Sequence, residues 1–167
     1  LLLLAALPAS AQSFSDLQAA VQNAPSSEHA ALVNAFLSQV SVPHMENDTT
    51  AVFLWKGSAN SVAVSGDMNG WSGQGWSLQR LAATDLWYRI EHFEADARLD
   101  YKLIRNGSDW VLDPRNPLTV PGGFGANSEL AMPAYVQPWE VTEDPAVAKG
   151  TLTSRTFVSA IMGNSRT

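Results

Sequence analysis

Two periods of apolar and polar residues divide the chain. From Phe14 to Ala24 and from Ser27 to Val40, apolar side chains recur at helical spacing, with Leu17, Val21, Ala31, Leu32, Ala35, Phe36 and Leu37 along one side. Two short helices are predicted. Ser15 is placed to cap the first, Pro25-Ser26-Ser27 breaks the pattern, and Ser26 or Ser27 with Glu28 supplies a start for the second. Pro43 forces the exit. From Ala51 the period shortens to two. Ala51 to Trp55, Ser61 to Gly66, Ser77 to Leu81, Trp87 to Phe93, Leu99 to Arg105, Trp110 to Leu112 and Glu129 to Met132 are short runs separated by Gly, Asn, Asp or Pro. These seven strands predict an all-β, immunoglobulin-like sandwich over about residues 50–133, with the two helices outside it. The helices have either the sandwich or a further domain to pack against.

The alternation also assigns faces. Leu99, Tyr101 and Leu103 point one way and Asp100, Lys102 and Ile104 the other, which leaves Lys102 free to meet a ligand. Asn106-Gly107 suits a tight hairpin, because both residues tolerate positive φ, and it aims Trp110 back beside Lys102. The glycines of Pro121-Gly122-Gly123-Phe124-Gly125 let the backbone ahead of Asn127 lie close to a ligand or a neighbouring strand.

Outside the sandwich the chain divides further. Residues 1–11 combine a short apolar run with Ala9-Ser10-Ala11, a small-x-small cleavage pattern, and are expected to be the remnant of a secretory signal. Residues 12–43 form the helical extension. Residues 134–150 read as a proline-containing acidic linker, and residues 151–167 as the opening strand of a domain that is not present. In that reading the strand stops before a second one can complete a hairpin. Export to a periplasm or beyond follows.

With 167 residues there is room for one core-bearing domain plus extensions, and a formal charge of −6 disfavours nucleic acid and anionic membrane surfaces as partners. No segment is long enough to suggest a membrane span. The absence of cysteine removes disulfides and thiolate metal sites, so the domain must be held by packing. His29, His44 and His92 have no metal spacing and are expected at the surface. Neither a metal nor another cofactor is predicted.

Candidate binding chemistry lies in Gly66-Asp67-Met68-Asn69-Gly70-Trp71, Tyr101-Lys102, Asn106-Gly107-Ser108-Asp109-Trp110-Val111-Leu112-Asp113-Pro114 and Gly125-Ala126-Asn127-Ser128. A flat indole can face the C–H side of a sugar ring while an ammonium and a carboxamide reach its hydroxyls. The order resembles the family-48 carbohydrate-binding modules, the glycogen-binding domains of AMP-activated kinase β subunits. The likeness runs from about Val52 to Pro133. It implies that Trp71, Lys102, Trp110 and Asn127 converge on one exposed face and hold a polysaccharide, glucan or xylan, weakly. Trp55 and Trp87 sit within apolar strand runs and read as core. Trp76 belongs to an insertion, Gly73-Gln74-Gly75-Trp76, that departs from the family pattern and would extend or obstruct the platform. Trp139 reads as an anchor onto a neighbouring domain.

A second set of motifs points to a parent protein. Phe53-Leu54-Trp55-Lys56-Gly57, Thr84-Asp85-Leu86-Trp87-Tyr88-Arg89, Asp96-Ala97-Arg98-Leu99-Asp100-Tyr101 and Asp113-Pro114-Arg115-Asn116-Pro117 resemble the N-terminal domain of enterochelin-esterase-type proteins. There such a sandwich precedes an α/β-hydrolase domain, as in related feruloyl esterases. The resemblance implies that the chain's own C-terminal esterase domain would carry the catalytic residues, beyond Thr167. No Gly-x-Ser-x-Gly elbow or triad order occurs here, Asp113-Pro114 reads as turn chemistry, and no catalytic residue is assigned. Two roles stay open: a glycan-binding-like module, or a scaffold that shapes an esterase entrance without binding sugar.

Overall fold

The computed structural model describes residues 13–167, so the expected signal remnant over residues 1–11 lies outside the described residues. The chain divides after Val136 into two compact units. The first is an all-β sandwich preceded by two short helices, α1 (Phe14–Asn23) and α2 (Ser26–Leu37).

Ten strands build the sandwich, more than the seven expected: β1 (His44–Asn47), β2 (Thr50–Lys56), β3 (Val62–Gly66), β4 (Trp76–Ser77), β5 (Gln79–Arg80), β6 (Leu86–His92), β7 (Arg98–Arg105), β8 (Asp109–Val111), β9 (Thr119–Gly122) and β10 (Gly125–Ala131). One sheet has the order β1-β2-β6-β5. The other runs β4-β3-β7-β10-β9, with β8 also on β7. All the pairings within the two sheets are antiparallel.

Burial explains the layering. Phe53, Trp55 and Trp87 on one sheet meet Val62, Val64, Tyr101, Leu103 and Leu130 on the other to make the inter-sheet core. The opposite side of the first sheet, carrying Val52, Leu54, Leu86 and Tyr88, is covered by Phe14, Leu17, Val21, Val33, Phe36 and Leu37 of the helices. Thus β2 is buried on both faces from Thr50 to Trp55, and from Ala51 to Trp55 its sequence is correspondingly an unbroken apolar run. Trp55 and Trp87 are core, as their surroundings in the sequence implied.

Several local expectations need correction. Ser13, not Ser15, caps α1: its hydroxyl accepts from Asp16 N–H at 3.0 Å. Glu46 on β1 completes that cap from a distance, accepting from Phe14 N–H at 2.6 Å and Ser15 N–H at 3.2 Å. This carboxylate was invisible locally because it lies 32 residues from Phe14 in sequence. Helix α2 begins after Pro25 with no side-chain cap, and its buried side is Val33, Phe36 and Leu37, while Ala31 and Ala35 are exposed. His44 is half-buried edge-on to Phe36, and His29 is half-buried with its ring against Ala24 O, so neither is the surface residue expected; His92 is exposed.

The second unit, Gln137–Thr167, contains a two-stranded antiparallel hairpin, β11 (Phe157–Val158) with β12 (Ser165–Arg166). The strand expected within residues 151–160 therefore finds a partner inside the chain. The opening-strand reading fails on that point, because Gly163 at φ 64° turns the chain back on itself. Trp139 is 80% exposed within this unit.

Candidate functional site

The central strand β7 positions the site. Tyr101 and Leu103 enter the inter-sheet core, so the intervening residues Asp100, Lys102 and Ile104 line the outer face of the second sheet. Trp110 on β8 lies directly across from Ile104, which places it on that face. Asn127 on β10 precedes Ser128, the partner of Tyr101, and so faces outward next to Lys102. The hairpin joining β7 to β8 turns through Asn106 at φ 51° and Gly107 at φ 80°, the left-handed pair its sequence predicts.

Trp71 arrives from the other side. After β3 a helical turn over Asp67–Asn69 ends at Gly70 (φ 64°), and Trp71 itself adopts φ 58°, a left-handed conformation that bulky residues rarely occupy. Its N–H closes the turn on Gly66 O at 2.9 Å. Asn69 pins the turn from inside, accepting from Gly66 N–H at 3.0 Å and donating to Val64 O at 3.1 Å. Gly66 is required where β3 passes β7, since a Cβ there would stand 2.2 Å from Asp100 O.

Trp71, Lys102, Trp110 and Asn127 thereby line one groove of about 790 Å³, together with Asp67, Asp100, Gly122, Gly123 and Phe124. The Trp71 and Trp110 rings are near parallel, with centroids 6.5 Å apart and planes inclined by 23°. Trp110 is 38% exposed and Trp71 and Lys102 are half-buried. Asn127 departs from the expected exposed face: only 9% of it is accessible, because its amide donates to Asp100 Oδ2 at 3.1 Å under the β9–β10 turn. Lys102 Nζ donates to Phe124 O at 3.3 Å, tying that turn across the groove.

Of the other lining residues, the sequence reading assigned a role to the glycines and none to Asp67, Asp100 or Phe124. Asp67 accepts from the Trp71 indole N–H at 2.9 Å with one carboxylate oxygen and from Asp100 N–H at 2.8 Å with the other. Asp100 is held in turn by Arg98 at 2.6 Å, and Arg98 also donates to Glu129 Oε2. Gly122 leaves room for Asn127, whose Nδ2 would lie 2.6 Å from a Cβ at that position. Phe124 stands fully exposed at the rim. Asp67 and Asp100 were legible only as members of their motifs, since nothing local marks a carboxylate that will meet a distant N–H.

Trp76 neither extends nor obstructs the platform. It pairs with Val64 as part of β4, packs against the inter-sheet core and lies under Arg89, whose guanidinium carbon is 5.1 Å from the ring centroid.

Asp113 is more than a turn residue. It is buried beneath this sheet, accepting from Tyr101 O–H at 2.8 Å and Arg115 N–H at 3.0 Å, while its own N–H donates to Ser128 Oγ at 2.9 Å. Asn116 donates to both Tyr101 Oη and Glu129 O. Burial pushes the Asp113 carboxyl above its ordinary range, with the Arg115 N–H and the Tyr101 hydroxyl pulling it back. This network anchors the β8–β9 connection. Among the described residues no cluster of three or more His, Cys, Asp or Glu could hold a metal ion, and no helix is long and apolar enough to cross a membrane.

The fold is shared with solved esterases. Ferric enterobactin esterase from Salmonella typhimurium superposes with a TM-score of 0.51 at 23% identity, over 70% of this chain and 39% of that one. The enterobactin esterase of Shigella flexneri, solved in the presence of enterobactin, gives a TM-score of 0.50 at 24% identity, over 74% of this chain and 40% of that one. The chain thus corresponds to about 40% of the length of these structures. No family model matches the sequence, and no curated protein matches it.

Proposed function

We propose that this chain is a non-catalytic, glycan-binding-like module of an exported esterase, with its groove taking a neutral polysaccharide such as a glucan or a xylan. The observation that carries the reading is the convergence of Trp71, Lys102, Trp110 and Asn127 on one groove with the two indoles near parallel. Such rings suit the C–H faces of sugars, and Lys102 and Asn127 bring polar groups to the hydroxyls at their edges. The likeness to a ferric enterobactin esterase of which the match covers 39% supports a further domain that performs the ester chemistry.

The affinity is modest. Two stacking contacts at about 1 kcal/mol each and a few hydrogen bonds at about 1 kcal/mol each, with buried ring area added, offset an association cost of at least ~4 kcal/mol. The remainder, about −4 to −6 kcal/mol, corresponds to dissociation constants of roughly tens of micromolar to millimolar.

Electrophoresis through native gels containing glycogen, amylopectin or xylan tests this directly. The wild-type chain is retarded in at least one of them, and Trp71→Ala or Trp110→Ala weakens retention by about 1–3 kcal/mol. Equal mobility of wild type and both variants in every gel removes the binding role and leaves the scaffold that shapes an esterase entrance.

A further inference from the structure

We propose that Asp67 is the positioning residue of the groove: its two carboxylate oxygens lock the Trp71 ring to β7, so that the aromatic platform is set before a ligand arrives. The affinity arm of this inference rests on the glycan-binding reading; the ring-orientation arm does not.

The backbone alone cannot hold the ring. The left-handed pair Gly70 and Trp71 and the Trp71 N–H bond to Gly66 O fix where the side chain leaves the loop. The side-chain torsions remain free to swing the indole between the groove and solvent. Among the described residues, one polar side chain bonds to its edge. Asp67 Oδ1 takes the indole N–H at 2.9 Å, and Oδ2 takes Asp100 N–H at 2.8 Å. Asp100 precedes Tyr101 on the strand that also carries Lys102, so the carboxylate gauges the ring against the same backbone that places the ammonium. Trp110 is fixed to that strand through its register with Ile104. On the Trp71 side the inclination of 23° between the two rings is therefore set by Asp67 together with the stacking contact on Trp110.

Aspartate is chosen by the donor count. Two N–H groups approach the two oxygens, and neither partner can accept. Asparagine offers one acceptor oxygen and turns its amide N–H₂ toward the other donor. Because Asp67 is solvent-exposed, losing one of these bonds lets the freed N–H turn to water, and the fold is little affected. Losing the lock instead means that the ring must be ordered by the ligand, which weakens binding roughly two- to tenfold.

The test uses the full chain, ¹⁵N-labelled. In wild type the Trp71 indole N–H exchanges with water more slowly than that of Trp110, and Asp67→Asn abolishes the difference. In glycogen-containing gels Asp67→Asn weakens retention roughly two- to tenfold. In a Trp71→Phe background, which has no indole N–H, the same substitution has no further effect on retention. Equal losses in both backgrounds, or a Trp71 indole whose exchange is unchanged by Asp67→Asn, overturns the proposal. If Asp67→Asn fails to fold, the wild-type comparison decides: protection of the Trp71 indole supports the lock, and equal exchange of the two indoles refutes it. Should wild type show the protected indole yet bind neither glycogen nor xylan, the lock stands and the glycan reading falls.

Discussion

Replacing Glu46 with alanine removes two acceptors from the first turn of α1, and the cost follows from what is left behind. The Phe14 N–H, partly buried and bonded to Glu46 at 2.6 Å, loses its partner, which costs about 1–3 kcal/mol. The Ser15 N–H is exposed and turns to water at little cost. Removing a negative charge from the helix N-terminus adds about 0.3–1 kcal/mol. The sum is about 1–4 kcal/mol, while Glu46→Gln, which keeps one acceptor oxygen, loses about 1 kcal/mol. For a domain of this size each kcal/mol shifts Tm by roughly 2–4 °C, so alanine lowers it by roughly 3–16 °C. His44 supplies a signature in pH. Burial holds its imidazole below the usual 6.5, and Glu46 pulls it upward. The folded state therefore binds the proton less tightly than the unfolded chain: the His44 contribution is complete above 6.5 and is lost as pH falls through the folded pKa. Glu46→Gln removes the upward pull, so its deficit against wild type widens as pH falls below 6.5. Urea titrations followed by far-ultraviolet circular dichroism between pH 5 and 8 measure both effects. An alanine variant within about 0.5 kcal/mol of wild type, the scatter expected of an ordinary surface change, would refute the remote cap.

Two further changes probe the groove and the layer beneath it. Gly122→Ala drives a Cβ to 2.6 Å from Asn127 Nδ2 and 2.7 Å from Gly125 O, so it displaces the carboxamide and weakens retention in polysaccharide gels about as much as Asn127→Ala does; unchanged retention refutes the role of this glycine. Asp113→Asn tests the buried carboxyl, whose folded pKa is raised, so that its contribution is complete below the unfolded value near 3.8 and is lost as pH rises through the folded pKa. Asparagine does not titrate, so the stability difference moves in favour of the variant from pH 4 to pH 7, and a constant difference in urea midpoints at the two pH values refutes the assignment.

The strands that the sequence made legible are those whose two faces differ or are both buried. β7 shows the first case, with Tyr101 and Leu103 against Asp100 and Lys102, and β2 the second. β1 and β9 were not legible. β1 is a half-buried, polar edge strand whose register shifts between Met45 and Asn47, and β9 carries Pro121 and Gly122 at a sheet edge. Neither offers a clean period of two. The groove was legible as four residues because they sit in local motifs, and illegible in its supports because those act over distance. Asp67 reaches a backbone N–H 33 residues away, and Asn127 reaches a carboxylate 27 residues away. The remote half of the α1 cap was hidden for the same reason, since the carboxylate that completes it arrives from β1.

The layering also explains why the platform lies where it does. An exposed platform needs a sheet face that the core does not claim, and the first sheet has none in its centre, because the helices cover one side and the second sheet the other. On the outer face of the second sheet, β7 offers Arg98, Asp100, Lys102 and Ile104 in succession. The Arg98 end is occupied by an ion-pair chain to Asp100 and Glu129, and Ile104 is covered to 1% exposure on the face it shares with Trp110. Lys102 stands between them. Loops that converge on this stretch, one carrying Trp71 and one carrying Phe124, enclose a groove whose floor is rigid sheet and whose walls are turns. The groove side chains are thus separated from the inter-sheet core by the thickness of one strand layer, so trimming Trp71 changes the groove while leaving Phe53, Tyr101 and Leu103 packed. That separation lets affinity and stability be measured as independent quantities in the same variants.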